Sequence, residues 1–255
     1  MLKRTVGLML LIVCFNARAD KFLDEGRQHY EAGRYTEAYM AWWGGAIQGD
    51  SEKQELLADL LLGPHKHALK RIRNPRREGM RYLYRAAIGG RRSAMLSLAE
   101  ASRSGLLGVE RRADAAACWS KAPASLQDRI ACVELMEFRD REARASCSEL
   151  ALVGRSEVHD KNRGPLFAKL CIANKTPALL VPGAPPSAQD LRREREYAKH
   201  GIEWVITGDV YDGDFEKFRD SFNDAIVAGV EAERGRGYLE RISKEIDRRV
   251  ESVQR

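Results

Sequence analysis

The clearest chemical constellation in this sequence lies on one predicted helix: Arg77, Arg81 and Arg85, with Tyr82 and Tyr84 interleaved. The arginines recur at i, i+4 and i+8, a spacing that gathers them on one helix face. They sit inside Lys70–Arg92, where nine Lys or Arg accompany a single Glu, a local balance of +8. Guanidinium forks match the oxygens of carboxylates and phosphates, so the expected counterpart is an anion. An acidic protein surface is favoured as the partner of Arg77, Arg81, Arg85, Tyr82 and Tyr84. Anionic lipid head groups and a merely solvated face rank behind it.

Other reactive residue types lack a working pattern. Ser156, His159 and Asp160 cluster in sequence, but no G-x-S-x-G elbow presents the serine. His159-x-Lys161 would need an acid at position 166 to complete an H-x-K-x4-D phosphoryl-transfer element, and that position is Leu166. Asp209, Asp212 and Asp214 surround two glycines yet miss the alternating acids and distal Glu of a calcium loop. His65-x-His67 is too small a set to hold a metal firmly. The chain is therefore expected to be non-catalytic, with no catalytic, cofactor-binding or metal-binding residues and no cofactor.

These groups must be placed by a chain with an export-type start. Lys3 and Arg4 precede a ten-residue apolar run, Val6 to Phe15, and Ala17-Arg18-Ala19 offers an A-x-A cleavage site before Asp20. Residues 1–19 are expected to be removed and the protein to reside in the periplasm, where nucleic acid is not an expected ligand. Without the three leader cations the 43 basic residues fall to 40 against 37 acidic ones, about +3. The basic segment thus sits on a chain otherwise near −5. Four cysteines follow the leader: Cys118, Cys132, Cys147 and Cys171. An even count in an oxidising compartment favours disulfides, with three possible connectivities. Sequential pairing joins the nearest segments; four buried thiols are the alternative.

The elements themselves repeat. Ala38-x3-Trp42-Trp43-x2-Ala46-x2-Gly49 recurs as Gly79-x3-Leu83-Tyr84-x-Ala86-Ala87-x2-Gly90, and more weakly as Ala115-x3-Trp119-x2-Ala122. Such periods mark stacked helical hairpins that bury their apolar faces only against their neighbours. Both tryptophans of the first copy are expected inside the hairpin, with one ring lining the concave face as the alternative. Gly44, Gly45 and Ala46 are small, as a close helix approach requires. The third unit, Ala94-x3-Leu98-Ala99-x5-Gly105-x2-Gly108-Val109 followed by Ala115-x3-Trp119-x2-Ala122, resembles the Sel-one-like repeat, a relative of the tetratricopeptide repeat. That resemblance spans 20–123 and implies an all-α fold, a superhelical array of helix-turn-helix repeats.

Beyond Pro123 the expected organisation is degenerate helical repeats over 124–175, a Pro-rich linker at 176–187 and a helical segment at 188–255. Ile202 to Ile206 reads equally as a short strand or a helical turn. Repeat arrays bind partners on broad curved surfaces. Exported Sel-one-like repeat proteins of bacteria include immunity proteins encoded beside phospholipase effectors of the type VI secretion system. The leader, size, degenerate repeats and lack of catalytic residues are similar here. The resemblance implies a protein partner, a phospholipase toxin encoded by a neighbouring gene. An envelope scaffold assembling a cell-wall or secretion complex is the alternative.

Overall fold

Glycine stops cut the first half of the chain into short helices. The computed structural model describes residues 21–70, 72–140, 143–152, 163–183, 187–207 and 213–252, without the side chains of 151, 152 and 214. The predicted leader lies outside this range. Helix α1 (21–31) turns at Gly33 into α2 (Tyr35–Ile47), and α3 (Ser51–Leu62) follows within four residues. A 3-10 turn (Pro64–Ala68) leads to α4 (Pro75–Ile88), then α5 (Arg92–Ser104), α6 (Ala113–Ser120) and α7 (Leu126–Glu134). The signals are local. Asp50 caps α3 through the Glu52 and Lys53 amides, and Asn74 caps α4 ahead of Pro75. At Gly49 and Gly90 the chain turns left-handed, and the next amide reaches back five residues, Asp50 to Gly45 and Arg91 to Ala86.

Each helix from α2 to α6 packs on its successor. The recurring positions point inward in all three copies: Ala38, Gly79 and Ala115 are buried, as are Trp42, Leu83 and Trp119. The Trp42 indole donates to the Leu23 carbonyl at 3.3 Å and lies over Gly26, where a Cβ would overlap the ring. Gly45 likewise faces the buried Lys53 side chain, whereas a Cβ at Gly44 would meet only open space. The small-residue run therefore has one contact-driven glycine and one free glycine. Gly44→Ala should raise stability by about 0.5–1 kcal/mol through helix propensity, while Gly26→Ala should lower it by about 1–3 kcal/mol by overpacking. Urea denaturation of the two variants checks both signs.

The second half is also mainly helical and adds one small sheet. Helices α8 (Cys147–Leu152) and α9 (Gly164–Ala173) precede a strand β1 (Ala178–Val181). Helix α10 (Ala188–Lys199) crosses to β2 (Glu203–Ile206), which pairs with β1 in parallel from Ala178↔Glu203 to Val181↔Ile206. Helices α11 (Gly213–Arg234) and α12 (Tyr238–Ser252) close the chain. The molecule is thus mostly helical with one two-stranded parallel sheet, and of the two readings of Ile202 to Ile206 the strand is the one found.

Within the Pro-rich stretch, β1 occupies Ala178–Val181. Pro177 and Pro182 bracket the Ala-Leu-Leu-Val run of β1, and Ala178 and Leu180 are buried. From α11, the Asn223 amide accepts from the Leu180 N–H at 2.9 Å and donates to its carbonyl at 2.8 Å. That side chain does for the strand what a third strand would do. Among the described residues one hydrophobic core runs from Ala38 to Val250. Two disulfides join Cys118 to Cys132 and Cys147 to Cys171, the sequential pairing, with Cα atoms 5.4 and 5.1 Å apart. They fit an oxidising, exported environment. Among the described residues no helix is long and apolar enough to cross a membrane.

Candidate functional site

The arginine row of α4 meets its anions within the same chain. Arg77 Nε lies 3.1 Å from Asp140 Oδ2, and Arg81 pairs with the Glu149 carboxylate. Arg85, only 4% exposed, has Nη1 at 4.0 Å from Glu149 Oε1 and donates through Nη2 to the Ala46 carbonyl at 2.8 Å. It thereby satisfies a C-terminal carbonyl of α2 from two helices away, together with Gln54 Nε2 at 2.9 Å. Its guanidinium lies 5.6 Å from the centroid of the Tyr82 ring.

The electrostatics follow from this enclosure. Burial draws the Arg85 pKa down, and the Glu149 carboxylate opposes it. At Glu149 burial works against ionisation, but the Arg81 hydrogen bond, the Ser146 amide and the charges of Arg81 and Arg85 outweigh it and hold the carboxyl below its ordinary range. Glu149 also closes a capping box: its Oε2 accepts from the Ser146 N–H at 2.7 Å, and Ser146 Oγ accepts from the Glu149 N–H at 3.2 Å. The Glu203 carboxylate of β2 accepts from the Cys147 and Ser148 amides at 3.0 and 3.2 Å, and burial pushes its pKa up. A single short helix thus carries the acid that neutralises α4, the cap from β2 and one end of a disulfide.

Tyr82 and Tyr84 are buried as well. The Tyr84 hydroxyl donates to Asn174 Oδ1 at 3.0 Å, and Asn174 Nδ2 donates to Ala145 O and Thr176 Oγ1. Burial raises the pKa of both phenols, and a neighbouring arginine opposes it at each, Arg85 at Tyr82 and Arg144 at Tyr84. Of the expected partner-binding residues, Tyr82, Tyr84 and Arg85 are enclosed, whereas Arg77 and Arg81 pair with Asp140 and Glu149 and stay partly exposed. Charge counted over a short segment cannot register an acid that returns 63 residues later.

The other residue sets fare differently. The His65 ring stacks on Tyr35, centroids 4.3 Å apart, and meets Tyr30 edge-on, while His67 is exposed. Among the described residues no three His, Cys, Asp or Glu could share a metal ion. Ser156, His159, Asp160, Lys161, Asp209, Asp212 and the Asp214 side chain lie outside the described residues.

A different surface is exposed. Met40 and Trp43, one turn apart on α2, are 61% and 40% exposed, with half-buried Ile47 one further turn along. The open Cβ position of Gly44 leaves the flank of this stripe flat. Of the tryptophan pair, Trp42 is buried and Trp43 is exposed. Trp43 follows Trp42 by one residue, roughly 100° around the helix, so a single hairpin interior cannot hold both.

No family model matches the chain, and no curated protein or solved structure matches it either.

Proposed function

We propose that this is an exported, non-catalytic protein-binding repeat protein, an immunity protein that holds and neutralises a phospholipase toxin of the type VI secretion system in the periplasm. On this reading α1 to α6 stack as a superhelical array of Sel-one-like hairpins. The two disulfides, Cys118–Cys132 and Cys147–Cys171, suit life outside the cytoplasm. The observation that carries the reading is the Met40–Trp43 pair on α2, solvent-facing on a helix whose opposite face is fixed in the core. Tryptophan and methionine are enriched at protein interfaces, and anchors on rigid elements lose little entropy on binding. The toxin is then gripped at the first hairpin rather than along the arginine row.

The test uses the product of the neighbouring gene. Met40→Ala combined with Trp43→Ala should weaken its binding by about 2 kcal/mol or more, roughly thirtyfold in Kd. Stability should shift by no more than about 0.5 kcal/mol, since both side chains are exposed. Calorimetric titration and survival of toxin-expressing cells give the two readouts. Unchanged affinity with full protection would remove α2 as the anchor. Failure of the native protein to bind that product at all would favour an envelope scaffold.

A further inference from the structure

The cationic charge left unneutralised in a concave site lies far from α4. Helices α10 and α12 border a cleft of about 350 Å³ lined by Arg192, Arg195, Glu196, Lys199, Arg249 and Val250. Four cations there face one carboxylate. On α10, positions 192, 195 and 199 follow helical spacing and share a face, and α12 supplies Arg249 from the opposite wall. Glu196 is already committed: it accepts from Lys199 and from Arg249 Nη1 at 3.2 Å, tying the two walls together. Arg249 also reaches Glu245 on its own helix. Arg195 spends its Nε on the Leu191 carbonyl at 3.1 Å. Among the described residues neither Arg192 nor Arg195 has an acidic partner, so both guanidinium forks are available.

We propose that this cleft binds a phosphate monoester, gripped by Arg192 and Arg195 on one side and by Lys199 and Arg249 across Glu196. Glu196 and Glu245 balance Lys199 and Arg249, so Arg192 and Arg195 leave the cleft a residual charge of about +2. A phosphate monoester brings about −1.5 to −2 at neutral pH and three acceptor oxygens, enough to occupy two forks and an ammonium at once. Glu196 does not oppose this role, because its charge is held by the two cations it aligns. The same chemistry is presented by a soluble phosphate ester and by the headgroup of phosphatidic acid in a bilayer.

The experiment reads the arginine Nε–H resonances of the full mature chain during titration with glycerol 3-phosphate. Sedimentation with phosphatidic acid vesicles, against phosphatidylcholine vesicles, runs in parallel. Arg192→Gln with Arg195→Gln should lower affinity at least about tenfold. Arg103→Gln with Arg111→Gln removes the same charge elsewhere and should change affinity less than about twofold in moderate salt. Binding of glycerol 3-phosphate with shifts at Arg192 and Arg195 supports the site with a soluble source. Binding confined to phosphatidic acid vesicles and lost in the cleft variant supports it with a lipid source. Three results would overturn it: no binding of either probe, equal loss in both double variants, or tighter binding of a hexaglutamate peptide, which would assign the cleft to an acidic protein segment. Unchanged thermal melting of the cleft variant confirms that it folds.

Discussion

Glu149→Gln is expected to cost about 3 kcal/mol of unfolding free energy at neutral pH, because it strands a buried charge. The substitution preserves shape, so packing does not enter. It removes the carboxylate beside the enclosed Arg85 and the ion pair to Arg81, and Arg85 cannot reach water to recover the loss. The acid also holds the Ser146 amide at the start of α8. Arg85→Met should cost less than Glu149→Gln, since it deletes the buried charge instead of isolating it, and Ala46 O keeps Gln54 as a donor. The pH dependence fixes the mechanism. The folded pKa of Glu149 is depressed, so its contribution is fully present above the unfolded carboxyl value of about 4.3 and is lost as pH falls through the folded value. Glu203, with a raised pKa, works in the opposite sense: its contribution is lost as pH rises through its folded value. The gap between native protein and Glu149→Gln should therefore shrink in acid, where the native carboxyl is protonated too. Urea midpoints at neutral pH and at about pH 3.5 measure it. A gap that stays constant with pH, or below about 1 kcal/mol throughout, would mean that Arg85 is satisfied without Glu149.

What the sequence disclosed here is what local chemistry encodes. The starts of α3 and α4 follow from Asp50 and from Asn74-Pro75, and the stops follow from Gly49, Gly90 and Gly105. The alternation of small and large apolar residues located the buried faces of α2, α4 and α6. The disulfide pairing was legible because nearest cysteines close the shortest loops. Apart from Trp43, the failures concern long-range partners. Arg77, Arg81 and Arg85 looked like an open basic face because Asp140 and Glu149 lie some sixty residues downstream and return through a loop without periodicity. The prolines around β1 suggested a linker because a four-residue strand has too little pattern to outweigh them, and its hydrogen-bond partner Asn223 sits on α11. The α10–α12 cleft escaped notice because Glu194 and Glu196 interleave with its arginines in sequence, and Arg249 joins them from α12 only when the helices fold.

The second large effect concerns Cys147–Cys171. Chain entropy alone makes the two disulfides nearly equal: loops of 14 and 24 residues each contribute about 3 kcal/mol and differ by roughly 0.5 kcal/mol. Their surroundings are not equal. Cys118–Cys132 joins α6 to α7, adjacent helices that already pack together. Cys147 opens α8, the six-residue helix that delivers Glu149 to α4 and receives the Glu203 carboxylate. A helix this short has no stability of its own, so its position depends on the staple to Cys171 on α9. Replacing Cys147 and Cys171 with alanine should therefore cost about 4–5 kcal/mol, against about 3 kcal/mol for the Cys118/Cys132 pair. The excess is attributable to α8 if the effects couple. Glu149→Gln should be milder in the background lacking Cys147 and Cys171 than in the native chain, by about 1 kcal/mol or more. In the background lacking Cys118 and Cys132 it should keep its full cost. Equal losses for the two disulfides, or additive costs in both backgrounds, would show that Arg81 and Arg85 hold α8 in place without the staple.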